Sequence, residues 1–182
     1  YEDLPKILNP SSGYLFNTNN SPFNATHSDL NLLEEDYNKS FNFKEKENNR
    51  SQRFMDLISE YDKINYYDFK KIKYDQKYPD SIFFIGNISD IFTFEKNKFF
   101  ELEDILSLIQ NWNREGDYTN LGAAQWSMYY LFIGKLLKEN NLDVEDDISD
   151  DLHKEALTLA KKHILKYFGK LDILLGDLQR HT

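Results

Sequence analysis

Apolar residues recur three and four positions apart along most of this chain, which is the spacing that puts side chains on one face of a helix. We therefore predict five helices, in chain order over residues 49–61, 66–73, 102–112, 121–139 and 152–168. Asn49 is the predicted N-cap of the first, and the fourth is apolar around most of its circumference, which indicates a buried helix. Gly169 is the predicted stop of the fifth, whose inner face is predicted to be Leu152, Ala156, Leu159, His163 and Tyr167.

Two stretches lack the helical repeat. Residues 1–26 are rich in Asn, Pro, Ser and Gly, which are typical of loops, and within them residues 13–17 predict a short edge strand. Residues 82–85 have the composition of a strand, but a glycine and an asparagine interrupt the run, and we favour helix or irregular packing over residues 81–94. The predicted fold class is mainly α with a short β segment at the N-terminus.

Composition and charge exclude several classes of protein. The chain has 182 residues, of which 40% are hydrophobic, and this is enough to build a globular core. Its net charge of -9 argues against nucleic-acid binding, which needs a basic face, and no apolar run is long enough to span a bilayer. The absence of cysteine excludes disulfides, zinc-thiolate sites and thiol catalysis. The histidines show no metal-binding spacing, and we predict neither a metal nor a cofactor.

The most distinctive stretch is residues 13–26, which read Gly-Tyr-Leu-Phe-Asn-Thr-Asn-Asn-Ser-Pro-Phe-Asn-Ala-Thr. This stretch resembles the β-subunit strand and loop of the penicillin acylase family, whose members include penicillin, cephalosporin and acyl-homoserine-lactone acylases. In that family the strand ends in a sequence similar to Asn-Asn-Ser-Pro, and the first Asn of the pair points into the active site. The corresponding residue here is Asn19.

Three later regions fit the same family in the same order. They are Arg50–Phe54, then Trp112–Asn113 with Leu121–Ala124, and finally Leu175–Arg180. The chain departs from the family pattern at Asn113, where Asp is more usual, and at Leu121, where a small polar residue is common. The resemblance implies an internal fragment of the β-subunit of an αββα N-terminal-nucleophile hydrolase, with most of the central sheet outside the fragment. It also implies a division into residues 1–28, which carry the active-site Asn, and a helical region over residues 29–182.

The resemblance implies an amidohydrolase that cuts an acyl amide bond through an N-terminal Ser and an acyl-enzyme. Tyr1 cannot act as that nucleophile, and no glycine of the chain is followed by Ser, Thr or Cys. The nucleophile is therefore expected on other sequence, and the fragment alone is expected to be inactive. The resemblance implies that Asn19 donates a hydrogen bond to the oxyanion. It implies that Arg53, which we prefer over Arg50, orients the nucleophile, its amine or the substrate. Phe23 is implied to contact the substrate.

The implied partners are the α-subunit, the rest of the β-subunit and a small-molecule amide substrate, and the implied location is periplasmic or exported. Each site residue has a structural alternative, since Asn19 could be a turn or capping residue and Arg53 could form a structural salt bridge. For the whole chain the alternative is a non-catalytic helical binding or interaction domain. The generic helical pattern and the lack of a complete catalytic set support that alternative.

Overall fold

A computed structural model describes residues 3–43, 48–82, 85–143 and 145–179. These described residues form six α-helices: α1 (Asn49–Ile58), α2 (Tyr66–Lys73), α3 (Glu103–Gln110), α4 (Ala123–Glu139), α5 (Asp150–Phe168) and α6 (Leu175–Leu178). Short 3-10 helices lie between them, at Ser28–Leu30, Glu34–Asp36, Lys39–Phe41, Ile88–Phe92 and Lys96–Leu102. The prediction of a mainly helical chain is confirmed. Within the described ranges, every helix is too short or too polar to cross a bilayer.

The predicted strand over residues 13–17 is not found as a strand. Its side chains alternate between exposed and half-buried positions, but a strand also needs a hydrogen-bonded neighbour. In the described part of the chain, β pairing is limited to two isolated antiparallel bridges, Lys77 with Glu115 and Leu121 with Leu174. The possible strand over residues 82–85 includes Phe83 and Phe84, which lie outside the described residues, and a 3-10 helix follows it at Ile88–Phe92.

The chain divides into two compact units, Tyr1–Lys73 and Tyr74–Thr182. The first contains the predicted active-site segment together with α1 and α2, and the second contains α3 to α6. The functional division proposed at residue 28 falls inside the first unit and stays a prediction.

The core of the second unit lies where α4 and α5 pack together. α4 buries nine of its seventeen residues, which confirms the prediction of a central buried helix. The buried face of α5 differs from the predicted one and consists of His153, Ala156, Leu157, Ala160 and Ile164. Of the predicted stripe only Ala156 is buried, and together with Ala160 its small side chain allows close helix packing.

The two tryptophans lie inside this core rather than on an open surface. Trp112 is 4% exposed and Trp126 is 2% exposed, and their rings stack with centroids 5.9 Å apart. Phe92 packs against Trp126 with ring centroids 5.0 Å apart. Both tryptophans therefore serve packing.

Candidate functional site

The carboxamide of Asn48 sets the residue at which α1 begins. Its Oδ1 accepts hydrogen bonds of 3.0 Å from the backbone N–H groups of Arg50 and Ser51. The Ser51 Oγ accepts in return from the Asn48 N–H at 3.0 Å, which completes a capping box. The prediction of Asn49 as the N-cap was therefore wrong by one residue, because the serine that can return the hydrogen bond lies three positions after Asn48.

The loop over residues 14–26 is closed by its own backbone and side chains. The Phe16 N–H donates to the Ala25 carbonyl at 3.0 Å, and the buried Thr26 hydroxyl donates to the Tyr14 carbonyl at 2.8 Å. At the tip of the loop, the Asn20 Oδ1 accepts from the Thr18 N–H at 2.6 Å. The segment predicted to carry the active-site asparagine is thus a closed loop whose tip is tied internally.

Asn19 lies at the tip of this loop and is exposed. Its φ of 63° is in the left-handed region, which Asn tolerates better than most residues do. The Asn19 N–H donates to the Asn17 Oδ1 at 2.9 Å. The Asn19 Oδ1 accepts a hydrogen bond of 2.7 Å from the Arg50 Nη2. Among the residues that the structure describes, none accepts a hydrogen bond from the Asn19 Nδ2, so this amide group is available as a donor.

The contact between Asn19 and Arg50 joins the first two family-like segments in space. An aromatic contact strengthens the same junction, since the rings of Phe16 and Phe54 stack with centroids 4.4 Å apart. The Tyr14 ring meets Phe54 edge-on at 6.1 Å. Residues 13–26 and the start of α1 therefore form one packed structure in the first unit.

Arg50, not Arg53, makes the hydrogen bond to Asn19. Arg53 is half-buried, lies almost one turn further along α1 and makes an interaction of its own. Phe23 is also half-buried, and its ring packs against Tyr37 and Phe43 at centroid distances of 5.6 and 6.0 Å. The roles predicted for Arg53 and Phe23 thus remain predictions.

The other family-like segments meet in the second unit. Leu121 forms an antiparallel bridge with Leu174, and the Gly176 N–H donates to the Tyr118 carbonyl at 2.8 Å. The buried Gln125 side chain donates to the Leu171 carbonyl and, at 3.2 Å, to the Ile173 carbonyl. The start of α4 and the chain around α6 therefore hold each other in place. Arg180, the last residue of the quoted motif, lies outside the described residues.

Gly122 is the point at which α4 fits against the end of α3. Its φ of 92° is unfavourable for residues with a side chain. A Cβ at this position would lie 2.5 Å from the Leu108 carbonyl oxygen and 2.7 Å from the Trp112 Cβ. Beside it, the Asn113 Oδ1 accepts from the Asn120 Nδ2 at 2.8 Å, so the residue that departs from the family's usual Asp still joins two segments.

Sequence reasoning missed a buried polar pair in the second unit. The Tyr129 Oη lies 2.5 Å from the His153 Nδ1, and both side chains are fully buried. Burial lowers the pKa of His153, although the negative charges of Asp90 and Asp150 oppose that shift. Phe94 packs edge-on against the His153 ring at 4.8 Å. This enclosed pair is a feature of the core.

The described part of the chain contains no cluster of metal ligands. No group of three or more His, Asp or Glu side chains there is arranged to hold an ion. Within the acidic stretch, Ile148 is instead held through its backbone. The Asn87 side chain accepts from the Ile148 N–H at 2.7 Å and donates to the Ile148 carbonyl at 3.3 Å.

In each unit, the contacts described above join segments that resemble the penicillin acylase family of amide hydrolases. The penicillin amidase family matches residues 1–172, which is nearly the whole chain, and the protein belongs to that family. Neither a curated protein nor a solved structure matches this chain.

Proposed function

We propose that the intact protein is an amidohydrolase of the N-terminal-nucleophile class and that Asn19 is part of its oxyanion hole. The proposal rests above all on the geometry of the Asn19 carboxamide. The Arg50 guanidinium donates to the Asn19 Oδ1 at 2.7 Å, and the Nδ2 group of this exposed residue remains free to donate. A donor held in place before the reaction costs little reorganisation when charge develops, and this makes such groups effective in catalysis.

The proposed reaction begins with an N-terminal Ser on another part of the intact protein. Its hydroxyl oxygen attacks the amide carbonyl while its own α-amine, with an ordinary pKa of ~7.7–8.0, accepts the proton. The carbonyl oxygen becomes negative and accepts hydrogen bonds from the Asn19 Nδ2–H and a backbone N–H. The C–N bond then breaks, and the leaving amine takes the proton from the α-amine. Water next attacks the acyl-enzyme, and the α-amine accepts a proton from the water and returns it to the departing Ser oxygen. We propose in addition that this Ser is carried by the central sheet of an αββα fold in the intact protein.

Arg50 is proposed to orient Asn19 and to strengthen its donor group. A guanidinium hydrogen-bonded to the amide oxygen draws electron density from the nitrogen and makes its N–H groups more positive. Its positive charge also favours a nearby oxyanion. Arg53 is proposed to contact the nucleophile or the substrate, and Phe23 is proposed to contact the acyl group. By itself, the chain is proposed to release no acid from an amide, because none of its glycines is followed by Ser, Thr or Cys.

Replacing Asn19 by Ala in the intact protein tests this function. We expect turnover of an acyl amide to fall by about 10²–10³-fold, which is the usual cost of losing one oxyanion donor. A matched control is Asn42→Ala, because Asn42 is also an exposed Asn with a left-handed φ, 51°, at the end of a 3-10 helix. Turnover of Asn19→Ala within threefold of the control would refute the oxyanion role.

Two arginine variants separate the proposed roles along α1. Arg50→Ala removes the hydrogen bond to Asn19, and we expect it to lower kcat more than it changes KM, as for a group acting on the transition state. Arg53→Ala is expected to raise KM if Arg53 contacts substrate. Identical effects of the two substitutions would contradict the assignment of different roles.

A further inference from the structure

One side chain connects the helix that carries Arg50 to the loop that carries Asn19. The Asn48 Oδ1 caps α1, as described above, while its Nδ2 donates to the Thr18 carbonyl at 3.2 Å. The same carboxamide therefore binds the first turn of the helix and the residue just before Asn19. Asn48 is itself held, because the fully buried Ser51 both accepts from its N–H and donates to its carbonyl at 2.8 Å.

Thr18 is fixed at both ends of its backbone. Its carbonyl accepts from the Asn48 Nδ2, and its N–H and hydroxyl donate to the Asn20 Oδ1 at 2.6 and 2.9 Å. The peptide group that joins Thr18 to Asn19 is consequently held against α1. A rotation of this peptide group would change the φ of Asn19 and carry the Asn19 carboxamide away from Arg50.

We propose that Asn48 is a positioning residue for Asn19, an inference that rests on the proposed oxyanion role of Asn19. By holding the cap of α1 and the Thr18 carbonyl with one carboxamide, Asn48 keeps the Arg50 guanidinium and the Asn19 oxygen in register. The Asn19 Nδ2 then points in one direction in the resting protein. A displacement of about 1 Å in such a site can cost on the order of 10²-fold in rate, so positioning of this kind has a measurable effect.

The test uses substitutions in the intact protein that keep the cap and remove only the connection. Asn48→Asp retains an oxygen for the N–H groups of α1 but loses the donor to Thr18. Asn48→Ser does the same without adding charge, and Asp, Ser and Asn are comparable N-caps. We expect both variants to lower kcat by about tenfold and to leave KM within about twofold of the wild-type value. The midpoint of thermal unfolding should stay within about 2 °C because the cap is preserved.

The matched control is Asn38→Asp. The Asn38 Oδ1 caps a 3-10 helix by accepting from the Ser40 N–H at 2.9 Å, at an exposed position. This control makes the same chemical change at another cap, and wild-type turnover is expected. Wild-type turnover in both Asn48 variants would overturn the inference.

A double-mutant cycle shows whether Asn48 acts through Asn19. If it does, adding Asn48→Ser to Asn19→Ala should cause no further loss of turnover, since the group being positioned is already gone. Full multiplication of the two losses would overturn the positioning role while leaving the oxyanion role of Asn19 intact. If Asn19→Ala alone keeps normal turnover, the proposed function fails instead.

Hydrogen exchange tests the positioning claim independently of catalysis. Mass spectrometry of the intact protein should show faster exchange of the Thr18 and Asn19 backbone amides in Asn48→Ser, and unchanged exchange in the Asn38 control. Unchanged exchange at both amides in Asn48→Ser would overturn the inference whatever the kinetics show.

Discussion

Gly122→Ala tests the close approach of α4 to the end of α3, where the family-like segments of the second unit meet. The added Cβ would lie 2.5 Å from the Leu108 carbonyl oxygen and 2.7 Å from the Trp112 Cβ, well inside an ordinary contact of about 3.5–4.0 Å. Neither of these groups is the free end of a flexible side chain, so relief requires movement of the backbone. The φ of 92° adds a penalty of its own for any residue with a Cβ.

The expected loss of stability follows from adding these two costs. Left-handed backbone costs a non-glycine residue roughly 1–2 kcal/mol, and overpacking typically costs about 1–3 kcal/mol. We therefore expect Gly122→Ala to lower the free energy of unfolding by roughly 2–5 kcal/mol, a large share of the about 5–15 kcal/mol that holds a typical domain folded.

Urea unfolding followed by tryptophan fluorescence measures this loss directly. Both tryptophans of the chain lie in the core next to Gly122, so their emission reports unfolding of that region. The control is Gly134→Ala in the middle of α4, where an added Cβ meets no atom within 4 Å. This control should be stabilised by about 0.5–1 kcal/mol because alanine favours helix. A loss below about 1 kcal/mol in Gly122→Ala, with an unchanged urea dependence, would refute the packing argument.

Two further predictions concern polar contacts of the second unit. Burial lowers the pKa of His153, so the unfolded chain binds more protons than the folded one at acidic pH. The contribution of His153 to stability should therefore be fully present above about pH 6.5 and be lost as the pH falls through the folded pKa. His153→Gln should flatten the acid side of a plot of urea midpoint against pH, and an unchanged slope would contradict this account. Asn87→Ala removes two hydrogen bonds to Ile148 and should cost about 1–3 kcal/mol, with faster hydrogen exchange over residues 145–149. Asn87→Asp, which keeps the acceptor and removes the donor, should lose less, and equal losses would show that the acceptor contributes nothing.

Local patterns predicted the helices well. α2 has the bounds that its apolar spacing predicted, and α4 is buried as its composition indicated. Gly169 ends α5 with a left-handed φ of 73°, which is the usual role of glycine after a helix. These features follow from interactions within a few residues, so one short stretch of sequence contains the information needed.

Contacts between distant residues were predicted less well. Arg50 and Arg53 lie on the same helix, and their spacing alone does not show which side chain reaches a loop 31 residues earlier in sequence. The N-cap was also ambiguous, because Asn48 and Asn49 are neighbours with the same side chain. A signal for Asn48 was nevertheless present, since Ser51 stands at the third helical position and can return the hydrogen bond.

The amino-acid sequence by itself determined the helical class, the glycine stop of α5 and, through the ordered segments, membership of the penicillin amidase family. Only the tertiary structure decided that Arg50 holds the Asn19 carboxamide, that residues 13–17 lack a strand partner among the described residues, and which stripe of α5 is buried. The physical reason is the range of the forces involved. Helix propensity and capping act within a turn or two, whereas a side-chain hydrogen bond across 31 residues, a β ladder or a helix interface depends on where the rest of the chain has packed.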